Sequence, residues 1–170
     1  MTVFRCRICN HPFLAAVPPS RCPACGAGEE WVRAAADFRP SATLDLPGML
    51  RENLQQLQAL LVDNGRFYRA AAKVADDELG RALLQALTAV AAEQAGVVAT
   101  LLGQDLPATA GETGDCSPAH RENLGEARQR VEEVLELGQK VLEKDPEDRV
   151  REVVAALVGA GRDHLDLLAG

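Results

Sequence analysis

Four cysteines near the start of the chain carry the clearest chemical signal. Cys6-Arg7-Ile8-Cys9 is followed by twelve residues and then by Cys22-Pro23-Ala24-Cys25-Gly26. A C-x-x-C segment folds into a knuckle that turns two sulfurs to one side. Two knuckles offer a tetrahedral S4 set for one ion, the geometry of structural zinc or of a single iron. A lone pair would leave a redox dithiol open; two pairs at this spacing point to Cys6, Cys9, Cys22 and Cys25 as ligands. The ligand set does not choose between iron and zinc. Asn10 and Gly26 follow the second cysteine of each knuckle, and both residue types tolerate the left-handed backbone that tight knuckles often need. Pro18, Pro19 and Pro23 stiffen the return. The fifth cysteine, Cys116, stands apart and reads as a bystander thiol.

A second set of polar residues emerges from helical periodicity. Steps of three and four residues give one seam of Leu50, Leu54, Leu57, Leu61, Asn64, Tyr68, Ala71 and Ala75. A second runs through Leu79, Leu83, Ala86, Val90, Glu93, Val97 and Leu101. A third holds Leu124, Ala127, Val131, Val134, Gly138 and Val141, and a fourth Val150, Val154, Leu157, Gly161, His164 and Leu168. Asn64, Tyr68, Glu93 and His164 interrupt these apolar seams. A buried carboxylate needs a partner or a proton, which nominates His164 and Tyr68 as partners of Glu93. A hydrogen-bonded core cluster and a weak mononuclear metal site both fit that set.

These residues need four helices to position them. The spacing predicts helices over about 47–75, 77–102, 118–144 and 145–168. Pro47 stands early in the first, Asp76-Asp77-Glu78 opens the second, and Ser117-Pro118 and Asp145-Pro146 give the cap-then-proline signature for the third and fourth. Short links make two antiparallel hairpins. Gly103 to Cys116 joins them. Fourteen extended residues reach about 45 Å, and a helix of this length measures about 40 Å, so the link can run the full height of a bundle. That long crossover between helices 2 and 3 is the ferritin-like variant of the four-helix bundle. Arg51-Glu52-Asn53-Leu54 recurs as Arg121-Glu122-Asn123-Leu124, an echo between the two hairpins.

Composition agrees. The 170 residues are 47% apolar but only 4% aromatic, and the net charge is −7. Ala, Leu and Val in abundance favour helices packed on helices, and an acidic surface argues against general nucleic-acid binding. Residues 1–40 hold five Arg against Glu29, Glu30 and Asp37, so this basic segment can rest on the acidic remainder. The expected division is a metal-binding module over 1–40 and a bundle over 41–170. No apolar leader precedes the cysteines, and no apolar run is read as a membrane span, so a cytoplasmic chain with no membrane partner is expected.

With Phe4-Arg5-Cys6-Arg7-Ile8-Cys9, the twelve-residue gap, Cys22-Pro23-Ala24-Cys25 and the following Trp31, the chain resembles the rubrerythrin family. In that family a rubredoxin-like S4 iron module, a zinc-ribbon-sized unit, accompanies a ferritin-like bundle with a di-iron carboxylate centre; the N-terminal placement matches its reversed-order members. In the bundle the resemblance rests on Asn53-Leu54, Tyr68, Glu93, Asn123-Leu124 and His164. The family's ligand pattern falls on Leu61, on Glu93 with Gly96, on Val131 and Val134, and on Gly161 with His164. Most carboxylates are thus replaced by apolar residues or glycine, which implies a lost di-iron centre. The expectation is a rubrerythrin-like, metal-binding protein whose four-cysteine site holds an iron that transfers single electrons. The alternatives are a structural-zinc scaffold that uses the bundle for assembly, and a peroxide-scavenging oxidoreductase. A homodimer and a redox or protein partner are expected with any of these.

Overall fold

A computed structural model describes residues 1–38, 46–106 and 111–169 of the chain. Three short antiparallel strands come first: β1 (Thr2–Cys6), β2 (Pro12–Ala15) and β3 (Val32–Ala34), in the spatial order β2-β1-β3. The two-residue alternation of a strand turns Phe4 and Cys6 of β1 inward and leaves Val3 facing out. Val3 pairs with Leu14 and Phe4 with Phe13, whose rings stack at 6.0 Å. Beyond the sheet the chain is helical: α1 (Gly48–Lys73), α2 (Glu78–Leu102), α3 (His120–Leu142) and α4 (Asp148–Leu168). The expected fold class, mainly α with a small cysteine-bearing module in front, is the observed one. The expected boundary at 40/41 lies outside the described residues.

The helices pack in pairs, α1 on α2 and α3 on α4, and the pairs meet through α1 with α3 and α2 with α4. At one end the Arg51 guanidinium donates to the Leu102 carbonyl at 3.4 Å, so α1 begins where α2 stops. At the other, His120 opens α3 beside Asp77, which opens α2. The connection between them therefore travels the height of the bundle. Along the way the Gly114 N–H donates to Arg66 O at 3.0 Å, and Arg69 donates to the carbonyls of Gly111 and Glu112.

α1 buries Leu50, Leu54, Leu57, Leu61, Asn64, Tyr68 and Ala71, the seam its periodicity predicts. α2 follows its prediction only near its C-terminal end, where Val97 and Leu101 are buried. Before that Gly80, Leu84, Leu87, Ala91 and Gln94 face inward, one residue on from the expected Leu79, Leu83, Ala86, Val90 and Glu93, and Leu79 is 81% exposed. Both frames of this alanine-rich helix are apolar, so hydrophobicity alone does not choose between them. One polar group does: a neutral amide at Gln94 is far less costly to bury than the carboxylate of Glu93. α2 is also long and apolar enough, by length and composition, to cross a membrane, which corrects the expectation that no segment approaches that size. Here its buried face packs on α1 and α4.

Two caps differ from the sequence signals. Asp77 is the N-cap of α2 and accepts from the Gly80 N–H at 2.7 Å, as its type requires. Ser117 is not the N-cap of α3, nor is Pro118 its first residue; Ala119 holds the cap position. The Asn123 side chain bridges Ser117, accepting from its N–H at 2.9 Å and donating to its carbonyl at 2.8 Å, so Ser117 closes a turn before the helix begins. α4 likewise starts at Asp148 behind Glu147, with Asp145 at φ 48° in the preceding turn. The echoed tetrapeptides are not equivalent in space. Leu54 is fully buried in the first, whereas Asn123 takes the inward position in the second and Leu124 is half-buried.

Candidate metal centre

The two knuckles form as the sequence suggests. Asn10 (φ 63°) and Gly26 (φ 77°) take the left-handed conformation. The Asn10 N–H donates to Cys6 O and the Gly26 N–H to Cys22 O, both at 3.0 Å, so the knuckles share one turn geometry. The Ile8 N–H points at Cys6 Sγ at 3.4 Å. The four sulfurs converge, all within 4.8 Å of one another, with Cys6–Cys25 and Cys9–Cys22 both at 3.8 Å. Four ligands at about 2.3 Å from a tetrahedral ion are separated from one another by about 3.8 Å. The sulfur cage therefore has the size of an S4 coordination sphere. Cys6, Cys22 and Cys25 are buried; Cys9 is half-exposed.

Without an ion, four thiolates cannot share this volume. Hydrogen bonds from Cys25, Cys6 and Cys9 pull the Cys22 thiol far below its usual value. Hydrogen bonding to Cys22 holds the Cys9 and Cys25 protons in place. A divalent cation removes that conflict by taking the place of the protons.

The module is seated on the bundle of its own chain. The Gln94 amide of α2 donates to the Cys25 carbonyl at 3.0 Å in a buried contact. Arg149 of α4 donates to Ile8 O at 3.0 Å, and Arg7 pairs with Glu152 at 3.0 Å. Arg21 makes a two-pronged contact with Asp163. The charge complementarity read from the sequence thus takes the form of two arginines on two α4 carboxylates. Such half-exposed pairs contribute little stability; the main adhesion is apolar. One buried cluster runs from Cys6, Ile8, Cys22 and Cys25 into Leu54, Val98 and Val154.

Beneath the second knuckle lies a cavity of about 20 Å³, room for one water. Asn64, Tyr68, Gln94 and His164 are its polar lining, with Leu61, Val131, Val134, Leu157 and Gly161 among the apolar walls. Three of the four polar residues expected in the interior therefore meet around one space. Glu93 does not join them; the frame shift of α2 leaves it half-exposed and puts Gln94 in its place. Asn64 spends its amide on α3, donating to Arg130 O and accepting from the Arg130 guanidinium, both at 3.3 Å. Among the described residues no carboxylate lines the cavity. At Gly161 an added Cβ would lie 2.8 Å from Leu135 Cδ2, so any side chain there displaces α3 packing; Gly96 faces open space.

Burial pushes the Tyr68 hydroxyl upward and the His164 imidazole downward, with the Asp163 charge opposing the latter. An imidazole harder to protonate folded than unfolded makes the unfolded state the stronger proton binder. Stability then falls as pH drops below the unfolded value of about 6.5. Melting temperatures between about pH 7.5 and pH 5.5 should fall less steeply in His164→Gln than in the parent protein.

A second group missed in the sequence joins the helix starts. His120 Nε2 lies 3.3 Å from Asp77 Oδ2 and 3.9 Å from Asp76 Oδ1. The aspartate run before α2 was legible; its histidine, 43 residues away, becomes a neighbour only through the crossover. Comparison with protein-family models, curated proteins and solved structures finds no match to this chain.

Proposed function

We propose that this chain is a rubrerythrin-like metal protein in which Cys6, Cys9, Cys22 and Cys25 hold one iron for one-electron transfer, beside a ferritin-like bundle that no longer holds a di-iron centre. The observation that carries the proposal is the sulfur cage, in which two edges of 3.8 Å, with all four sulfurs within 4.8 Å of one another, suit a tetrahedral S4 ion. Iron in such a set supplies a one-electron couple, with a potential tuned by hydrogen bonds to sulfur and by solvent exposure. The Ile8 amide provides one such hydrogen bond. The half-exposed Cys9 gives the centre an edge toward solvent, where a redox partner can approach while the other three sulfurs stay buried. The cavity's amide, phenol, imidazole and apolar lining supports the loss of the carboxylate centre, and with it argues against peroxide scavenging by the bundle.

A structural-zinc reading has its own support: three buried sulfurs and a core shared with the bundle are features of a closed, fold-maintaining site. Metal analysis of protein purified without added metal separates the two. One iron per chain and a red colour are the expected result. One zinc and no colour would replace electron transfer with the scaffold role. Two or more irons beyond the S4 ion would overturn the assignment of an inactive bundle.

A further inference from the structure

The α1/α2 hairpin carries a basic groove that the metal centre does not use. Its lining is Arg69, Ala72 and Lys73 from α1 with Arg81, Gln85 and Thr88 from α2, around a space of about 440 Å³. That is within the range of small-molecule sites, about 300–1,000 Å³. Arg69 and Lys73 are one helical turn apart, and Arg81, Gln85 and Thr88 follow the same spacing on α2, so each helix turns one polar strip into the groove.

Three cationic residues lining one hollow are an unusual concentration for a chain of net charge −7. Like charges at an i,i+4 spacing, as at Arg69 and Lys73, oppose helix stability. Of the three cations, Arg81 pairs with the Glu78 carboxylate at 2.6 Å and donates to the Ala75 carbonyl at 3.0 Å, so it is the one already partnered. The contacts of Arg69 are the carbonyls of Gly111 and Glu112, and Lys73 donates to the Thr113 hydroxyl at 3.2 Å. These neutral acceptors orient the two side chains, and among the described residues no carboxylate pairs with either cation. At the α2 wall, the Thr88 hydroxyl donates to Leu84 O at 2.8 Å. Its lone pairs, with the exposed Gln85 amide, stay available to a hydroxyl-bearing ligand.

We propose that this groove binds a small organic phosphate, with Arg69, Lys73 and Arg81 on the phosphate oxygens and Gln85 and Thr88 on the hydroxyl-bearing part. Two guanidiniums supply forked donors suited to phosphate, and the lysine adds a point charge. The site is independent of the cysteine centre and stands or falls without it.

The test uses the full-length chain, titrated with glycerol 3-phosphate, inorganic pyrophosphate and citrate while backbone amide shifts are followed. Saturable shifts confined to residues 69–73 and 81–88, at a Kd of about 1 mM or tighter for glycerol 3-phosphate, are the expected result. They should weaken as salt rises. Lys73→Gln should weaken binding at least about tenfold with helix content unchanged, and Arg69→Lys, which keeps the charge but not the fork, should weaken it less. Equal affinity for citrate would overturn the phosphate assignment. Absence of saturation with all three probes, or binding unaffected by Lys73→Gln, would overturn the site.

Discussion

Cys22→Ser should release the ion and unfold the cysteine module while the four helices persist. Cys22 is one of the four converging sulfurs, 3.8 Å from Cys9 Sγ, and it is almost fully buried. A hydroxyl there is a poor ligand for a soft S4 site, and loss of a direct ligand should exceed the 10–100-fold affinity change, roughly, that loss of an outer-shell partner brings. The ion also contributes to folding, because ligand convergence and chain folding are one event in small metal modules. Metal content after dialysis against a chelator should fall from one ion per chain to near none. Backbone amide signals of residues 1–38 should collapse toward random-coil positions. The bundle, with its own apolar seams at Leu57, Leu84, Val141 and Val153, should keep most of its helical circular dichroism. A serine variant that retains its ion and its amide dispersion would remove the basis for calling these residues ligands.

Gly26→Ala is expected to loosen the module from its seat without touching a sulfur. At φ 77° an alanine is strained, by about 1–2 kcal/mol for a left-handed residue. The added Cβ would also approach Ala160 Cβ on α4 to 3.1 Å, against backbone-anchored atoms with little freedom to retreat. Chemical denaturation should therefore show a loss at or above that range. Protease sensitivity should rise at the module rather than within the bundle. Gly96→Ala is the control of opposite sign. It lies in mid-helix with nothing within 4 Å of its added Cβ, so it should stabilise by about 0.5–1 kcal/mol. If both substitutions behave alike, the module does not rest on α4 through Gly26.

Much of this was legible because the relevant signals are local. The C-x-x-C spacing specifies a knuckle, and the left-handed demand on Asn10 and Gly26 follows from the turn itself. The α1 seam was readable because its leucines alternate with glutamines and acids, leaving one apolar face. α2 was not, because alanine, valine and leucine cover both adjacent frames and the phase is set by what α1, α4 and the module present to it. Position 94 shows the difficulty. Its amide faces inward to meet the Cys25 carbonyl, a partner 69 residues earlier that no periodicity within α2 encodes. His120 was hidden for the same reason: its aspartate neighbours sit across a connection whose path decides which helix ends coincide.

The order of synthesis gives the module's seat a consequence in time. Arg21 meets Asp163 across 142 residues, and Arg149 meets Ile8 across 141. The cysteines leave the ribosome first, and the helix that completes their surroundings leaves last. At translation rates of about 5–20 residues per second, that interval is on the order of ten seconds. Throughout it the knuckles stand without α4 behind them, and their thiols face the solvent of the compartment where the chain is made. Loading of an ion in that window would fix the knuckle before its seat exists, so that α4 closes on a finished loop; a chain that misses the window is left with the half-exposed Cys9 edge as the approach to its sulfurs.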